Sequence, residues 1–272
     1  HGENRNGGGI LTYYINKPEV KKSDAKTKAE DKKTVKFDSV KFEIFDGDRQ
    51  IRTLKFKAPK ENGIHKTTWY LREKGVDRPS RRIRKSTREP VGVTVKPGTY
   101  KVKMTFGDVT SEQNIKVEFD PRLTISEEAI NQKYNASKEL ESYQEKIAAI
   151  VKQLVESKIT TTSIKSDLAK EDKKKYKEEI KKSTEVIKKI DDLIAAYLGK
   201  IDKRQGITRN PEVTVTQRLS SASRYVGSRF GLQTATEKQL MNQFKEAYKK
   251  AVSDTNSFFN NDWVNYKSSV EN

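Results

Sequence analysis

Cysteine is absent from the sequence, and histidine occurs only twice, as His1 and His65. Without cysteine the chain forms neither disulfides nor thiolate metal sites. Two histidines without a histidine-rich spacing argue against a transition-metal centre. A nucleophile with its base normally needs a histidine or an activated lysine, and no recognisable partner residues accompany His65. We therefore expect a chain that is not an enzyme, with no catalytic residue, no metal site and no cofactor.

Long apolar runs are also missing from the sequence. No stretch approaches the roughly 18 residues that a membrane-spanning helix needs, so we expect no membrane span. The chain begins at His1 without a signal peptide, which suggests a processed product or part of a longer protein. Apolar residues make up 33% of the chain and charged residues 35%, which raises disorder as an alternative. The regular spacing of the apolar residues favours a folded chain.

Charged side chains are abundant, and the basic ones outnumber the acidic ones, with 56 Lys and Arg against 38 Asp and Glu. The formal net charge is +18. Residues 1–122 carry +12, from 29 Lys and Arg against 17 Asp and Glu, and the remainder carries +6, from 27 against 21. A basic surface favours polyanions such as nucleic acid, anionic glycan or anionic lipid headgroups, but charge alone does not choose among them.

Residues 1–122 show the alternation of antiparallel strands with one face in water. Glycine-containing pairs, Asp46-Gly47 and Gly107-Asp108, separate candidate strands as hairpin turns. About seven short strands predict an immunoglobulin-like β-sandwich over 1–122, with long basic loops at 17–34 and 73–96. The residues predicted to face inward are Val40, Phe42, Ile44, Tyr100, Val102, Met104, Phe106, Ile115, Val117 and Phe119.

From Ser126 the apolar period changes to that of helices, after a junction at Asp120-Pro121-Arg122. Four amphipathic segments predict a long antiparallel four-helix bundle over 123–272. The stretch KEDKKKYKEEIKK is predicted to form the solvent face of the second helix. The fold class is therefore α+β with two domains. The boundary signals are Asn210-Pro211 and Thr234 with Glu237 as helix starts, and Gly199 and Gly231 as helix ends.

Several stretches, taken in order, resemble the C-terminal region of secreted bacterial proteins that contain sortilin-like (VPS10-type) BNR/Asp-box β-propellers, often labelled glycosyl hydrolases. That region is an immunoglobulin-like sandwich followed by helices, and the resemblance covers nearly the whole chain. The stretches are GGGILTYYIN, FEIFDGDRQIRTLKF, GIHKTTWYLR, VKPGTYKVKMTFGDVTSEQNIKVEFDPRLTIS and VTVTQRLSSASRYVGSRFGLQTATEKQLMNQF. The most specific matches are Trp69, Leu71, Arg72, Pro97-Gly98-Thr99-Tyr100 and Asp120-Pro121-Arg122.

Two departures from that family limit what the resemblance implies. The lysine-rich stretch 17–34 looks like an enlarged loop, and the segment after Arg72 is strongly basic where the family is rich in glycine and proline. The propeller itself is absent, so no catalytic residue is carried over to this chain. The resemblance implies a secreted, periplasmic or cell-surface bacterial protein.

A cluster of cations between residues 77 and 90 is the candidate contact for a polyanion or a partner. The alternative is a solvated surface loop. No aromatic residue lies between Asp77 and Pro90, and no nucleic-acid-binding motif is present, which argues against nucleic acid. An acidic protein partner, such as the upstream propeller, fits the segment better. The candidate residues are Arg78, Arg81, Arg82, Arg84, Lys85 and Arg88.

Other candidate sites have simpler structural interpretations. Asp46-Gly47-Asp48 lacks the remaining ligands of a calcium loop and is interpreted as a turn. Gly7-Gly8-Gly9 precedes a strand, where it cannot place a phosphate at a helix N-terminus. Trp69 and Trp263 could stack on sugars, but we expect Trp69 in the core and Trp263 in packing at the end of the bundle or in an interface.

Three functional hypotheses follow. The first is a non-catalytic interaction region of a secreted BNR-propeller protein, which packs beside the propeller and docks other envelope proteins. The second is binding of anionic glycan or peptidoglycan by the basic sandwich. The third is an accessory domain of a glycoside hydrolase.

Overall fold

The computed structural model describes residues 7–17, 37–83, 86, 88–201 and 213–271. It is mixed α+β, with antiparallel strands in the first part of the chain and helices in the second. The chain divides into two compact units. The strand unit comprises His1–Gly75 and Arg88–Thr124, and the helical unit comprises Val76–Thr87 and Ile125–Asn272. The predicted boundary followed residue 122, whereas the strand unit ends at Thr124. The earlier segment Val76–Thr87 also belongs to the helical unit.

The strands of the strand unit are β1 Gly9–Ile15, β2 Ser39–Asp46, β3 Arg49–Lys57, β4 Gly63–Trp69, β5 Arg72–Lys74, β6 Val91–Thr94, β7 Gly98–Phe106 and β8 Val109–Val117. They form a four-stranded antiparallel sheet in the order β3–β2–β7–β8 and two strand pairs, β1–β4 and β5–β6. Gly47 and Gly107, with φ of 60° and 64°, form the predicted hairpin turns between β2 and β3 and between β7 and β8. Both turns need a residue that tolerates positive φ.

One hydrophobic core fills the strand unit, and alternate residues of each strand supply it. The predicted inward residues of β2 and β7 are buried or partly buried, which confirms the alternation. Tyr13 on β1 packs edge-on against Phe42 on β2, with 5.2 Å between ring centroids, so the β1–β4 pair contributes to the same core. Phe119 was predicted to face inward but lies beyond the end of β8 and is exposed.

Trp69 is at the centre of this core, as predicted. It packs edge-on against Tyr100 with 5.4 Å between centroids, and its indole Nε1 donates a hydrogen bond to the Arg72 carbonyl at 3.0 Å. Leu71, between them, has a φ of 53°, which is strained for a branched side chain. Its carbonyl accepts a 2.9 Å hydrogen bond from Val95 N–H, which holds the chain in this conformation.

The predicted basic loop 73–96 is not one loop. It contains the end of β5 and all of β6, which pair in antiparallel fashion. Between them the chain leaves the strand unit as the segment Val76–Thr87. Gly75 precedes this exit, and a Cβ there would lie 2.5 Å from the Val91 carbonyl oxygen, so only glycine fits.

The helices are α1 Glu127–Asp172, α2 Lys177–Leu198, α3 Val215–Ser228, α4 Ala235–Ser257 and α5 Val264–Glu271, with a π-helical segment Phe258–Trp263 between α4 and α5. Every helix contributes to a single hydrophobic core among the described residues. The sequence period predicted four helices, but it predicted neither their lengths nor the π-helical segment and α5. Residues 170–172 end α1, and residues 173–176 form the turn into α2, so KEDKKKYKEEIKK is not one face of the second helix.

Hydroxyl side chains begin three of these helices. Ser126, Thr214 and Thr234 each accept a hydrogen bond from the backbone N–H three residues later. Gly199, with a φ of 84°, ends α2 as predicted. Gly231 does not end α3, because the helix stops at Ser228. The predicted start at Asn210-Pro211 and the basic loop at 18–34 lie outside the described residues.

Two pairs of hydroxyls lie buried in the helical core. Ser183 on α2 is 3.0 Å from the hydroxyl of Tyr266 on α5, and Tyr197 on α2 is 3.0 Å from the hydroxyl of Thr255 on α4. Burial raises the pKa of Tyr197, so it stays protonated and able to donate. In the described part of the chain, no helix combines the length and apolar composition needed to cross a membrane.

Candidate interaction surfaces

The arginine-rich segment Val76–Thr87 belongs to the helical unit, and three of its described residues contact α1 and α2. Arg81 donates a hydrogen bond from Nη2 to the carbonyl of Gly199, at the C-terminus of α2. Gln144 on α1 donates from Nε2 to the carbonyls of Val76 and Asp77, at 3.3 and 3.4 Å. The carbonyls at a helix C-terminus carry partial negative charge, so the Arg81 guanidinium is placed where a cation is favourable. Part of the predicted partner contact is therefore occupied within the chain.

The other predicted cations differ in their surroundings. Arg78 and Arg82 are exposed on the segment. Arg88 is also exposed but belongs to the strand unit. Arg84 and Lys85 lie outside the described residues. The six cations therefore do not form a single described cluster, and their role as a contact for a polyanion or a partner stays a prediction for the exposed members.

Replacing Arg81 with methionine is expected to lower the free energy of unfolding by about 1 kcal/mol. The change keeps most of the side-chain volume but removes the charge and the hydrogen bond at the end of α2. Urea unfolding followed by circular dichroism at 222 nm measures the effect. The control is Arg82→Met at the exposed neighbour, which should change stability by less than about 0.5 kcal/mol. Equal effects of the two variants would show that the Gly199 contact does not stabilise the helical unit.

The outer face of the β1–β4 pair is an exposed surface with a strong apolar character. Cross-strand register places Tyr14 opposite Ile64, Thr12 opposite Lys66, and Ile10 opposite Thr68. Ile64 is 73% exposed, Tyr14 65% and Ile10 59%. We call these six residues the β1–β4 outer face. Outward positions of a solvated antiparallel sheet are usually polar, so three large apolar side chains together mark a surface that a partner could cover.

The outer face of the four-stranded sheet is different in chemistry. Cross-strand ion pairs tie its side chains together, with Lys103 Nζ 3.8 Å and Lys101 Nζ 3.9 Å from the Glu112 carboxylate. Lys41 and Glu43 form another pair at 3.0 Å. One outer surface of the strand unit is thus charged and carries ion pairs, whereas the β1–β4 outer face combines three large apolar side chains with two threonines and a lysine.

A groove of about 440 Å³ lies between α3 and α4 in the helical unit. Arg218 donates a hydrogen bond to Gln243 Oε1 across this groove at 3.3 Å. Both charged side chains that line the groove are arginines. The lining residues are Val213, Gln217, Arg218, Ser220, Ser221, Arg224, Leu240 and Gln243.

A buried ionic cluster lies at the loop between α3 and α4. Arg229 Nε is 3.1 Å from Glu237 Oε2, and the two residues are only 9% and 1% exposed. Lys133 on α1 donates to the Arg229 carbonyl at 2.9 Å. Burial, followed by the charge of Arg229, lowers the pKa of Lys133. Arg229 Nε and Nη2 and Glu237 Oε1 make no hydrogen bond among the described residues, so the attraction between the two charges holds the pair together.

The remaining sequence candidates have structural roles. His65 lies on β4, with Nε2 3.0 Å from the Glu61 carbonyl and its ring tilted towards Tyr13. Asp46 ends β2 at the turn and pairs with Arg49 at 3.0 Å. Trp263 packs with Phe258, Phe259 and Tyr266 against the helical core, as predicted. In the described ranges, no group of three or more His, Asp and Glu side chains could hold a metal ion.

Sequence reasoning missed the β1–β4 outer face, the groove and the buried ionic cluster. The β1–β4 outer face could have been found from the sequence, because Ile10, Tyr14 and Ile64 are large apolar residues at the outward positions of their strands. The groove had a weaker signal. From Val213 to Thr236 the sequence contains arginines at 218, 224 and 229 and no acidic residue.

No family model, curated protein or solved structure matches this chain.

Proposed function

We propose that this chain is a non-catalytic interaction region that binds another protein through the β1–β4 outer face. The observation that carries the proposal is the exposure of Tyr14 and Ile64, which lie opposite each other on the two paired strands, together with that of Ile10 on the same face of β1. Burying apolar side chains of this size in an interface contributes roughly 1.5–3 kcal/mol each. A few buried anchor residues, tyrosine among the most frequent, supply most of the affinity of protein interfaces, which makes Tyr14 the principal anchor of this face.

Charge suggests the chemistry of that partner. The chain carries a net charge of +18, and Lys66 lies between the apolar residues of the face. An acidic protein with an apolar patch is complementary to such a surface, because opposite charges speed the encounter while the apolar contact slows dissociation.

We further propose that the strand unit is an immunoglobulin-like sandwich and the helical unit a four-helix bundle. Tyr100 supports the first assignment, because its hydroxyl donates to the Lys96 carbonyl at 2.7 Å, four residues upstream, as in the tyrosine corner of such domains. The packing of Tyr13 on Phe42, between strand pair and sheet, is the contact a sandwich requires. The common core of the helices supports the second assignment.

From the resemblance to BNR-propeller proteins, we propose that the chain lies beside such a propeller in a secreted, periplasmic or cell-surface bacterial protein. The partner of the β1–β4 outer face would then be the propeller or another envelope protein. The presence of Asp-box repeats in the residues encoded upstream of His1 tests this parentage directly.

The double variant Tyr14→Ser with Ile64→Ser is expected to weaken partner binding at least about tenfold. The changes remove two exposed apolar anchors and should leave the free energy of unfolding within about 0.5 kcal/mol per site. Captured envelope proteins are compared quantitatively between the wild type and the variant, and the dissociation constant of each candidate partner is then measured with purified proteins.

The matched control is Lys101→Ser with Lys103→Ser on the charged outer face of the other sheet. This variant should keep the partner that the first variant loses. If no captured protein distinguishes the two variants, the β1–β4 outer face is not a docking surface and the proposal is wrong.

A further inference from the structure

The groove between α3 and α4 has the size and lining of a ligand site. Its volume of about 440 Å³ falls within the range of small-molecule clefts, about 300–1,000 Å³. Arg218 and Arg224 supply positive charge, while Ser220, Ser221 and Gln217 supply hydroxyl and amide groups. Val213 and Leu240 provide apolar surface. The combination of two cations, neutral polar groups and a small apolar area is suited to a ligand that is itself anionic and rich in hydroxyls.

The electrostatic surroundings of the groove favour an anion. The stretch from Val213 to Thr236 carries three arginines and no acidic residue. One of the three, Arg229, is paired with Glu237 and so adds little to the positive electrostatic potential in the groove. The other two, Arg218 and Arg224, line the groove itself. The groove includes residues from the first turn of α3, and the N-terminus of a helix carries partial positive charge.

The side chains that would contact the ligand are partly held in place. Arg218 donates from Nη1 to Gln243 on α4, which reduces the conformational freedom that binding would otherwise remove. The capping box of Thr214 and Gln217 fixes the first turn of α3, and Thr216 Oγ1 anchors that turn to the Tyr197 carbonyl at 2.7 Å. The arginine-bearing helix is therefore fixed to α2 before a ligand arrives.

We propose that this groove binds an acidic saccharide, with its sulfate or carboxylate groups on Arg218 and Arg224 and its hydroxyls on the serine and glutamine side chains. Guanidinium groups recognise such planar or tetrahedral anions through paired hydrogen bonds. The described lining contains no aromatic residue on which a nucleobase could stack, which favours a saccharide over a nucleic acid. The proposal concerns the helical unit and is independent of the β1–β4 outer face.

The test uses the full chain and isothermal titration with four probes. Three are saccharides, namely a sulfated heparin-derived hexasaccharide, a hexamer of galacturonic acid, and uncharged maltohexaose. The fourth is a single-stranded hexanucleotide. The wild type is expected to bind at least one of the acidic probes at least about tenfold more tightly than maltohexaose. Arg218→Gln with Arg224→Gln is expected to weaken that binding at least about tenfold. The comparison of sulfated and carboxylated probes identifies which anion the groove prefers.

The matched control, Arg78→Gln with Arg82→Gln, removes the same charge from exposed positions elsewhere in the helical unit. It should retain binding within about twofold, apart from a small general effect of net charge. Equal losses in the two variants would mean that the chain attracts polyanions without a site. A larger loss in the control would assign binding to the arginine-rich segment. Tighter binding of a single-stranded hexanucleotide than of every saccharide, or no saccharide binding at all, would also overturn the proposal.

Discussion

Glu237→Gln is expected to lower the free energy of unfolding of the helical unit by about 3–5 kcal/mol. The substitution preserves the shape of the side chain but leaves the buried guanidinium of Arg229 without its counter-charge. Lys133, whose pKa is already lowered by burial and by Arg229, would then face that guanidinium without the opposing carboxylate. Two cations would remain in a region with little access to water, and the low effective dielectric makes that arrangement costly. Urea unfolding followed at 222 nm measures the loss.

A double-variant cycle separates this electrostatic effect from simple loss of packing. Arg229→Met alone should cost a comparable amount, because it isolates the carboxylate of Glu237. The combined Arg229→Met and Glu237→Gln variant should be more stable than either single variant, because no buried charge is then left unpaired. Glu139→Gln is the control, since it breaks the exposed 2.7 Å pair with Lys245 and should cost less than about 1 kcal/mol. Additive single effects would contradict the proposed coupling.

Trp69→Ala is expected to destabilise the strand unit by about 3–5 kcal/mol. The indole is buried, packs on Tyr100, and donates the hydrogen bond that helps to hold the strained turn at Leu71. Its removal therefore creates a large cavity and leaves the Arg72 carbonyl without that donor. The loss is a large part of the roughly 5–15 kcal/mol by which a domain is usually stable.

Hydrogen exchange read by mass spectrometry localises this effect. Peptides from β2 and β7 should exchange at least about a hundredfold faster in Trp69→Ala, as a loss of 3 kcal/mol or more implies. Tyr70→Ala, at the exposed neighbouring position, is the matched control and should leave those rates within about threefold. Unchanged protection of β2 and β7 in Trp69→Ala would show that the indole is not a central element of this core.

The parts of the fold that depend on local periodicity could be predicted from the sequence. Alternation along β2 is sufficient to place Val40, Phe42 and Ile44 inside, because one face of each strand must be buried. The glycines at 47 and 107 identify their turns for an equally local reason, since positive φ favours glycine there. Thr234 signals the start of α4 by its hydroxyl alone.

The parts that depend on contacts distant in sequence could not be predicted. Nothing near Arg81 indicates that its guanidinium caps α2 at Gly199, 118 residues later. The predicted capping box at Thr234 and Glu237 is another example. Thr234 caps the helix, but the Glu237 carboxylate pairs with the buried guanidinium of Arg229, a contact that the capping pattern does not indicate. Predicting the β1–β4 outer face required only knowledge of which strands pair, whereas predicting the groove required knowledge of how two helices pack.

The hydroxyl pairs of the helical core have a consequence for how the helices are aligned. Sliding α2 by one turn, about 5.4 Å, would still bury its isoleucines among other methyl groups. The same slide would separate Ser183 from Tyr266 and Tyr197 from Thr255, and each hydroxyl left without a partner in the interior costs about 1–3 kcal/mol. These few hydroxyl oxygens thereby exclude shifted alignments of α2 that apolar packing alone would allow.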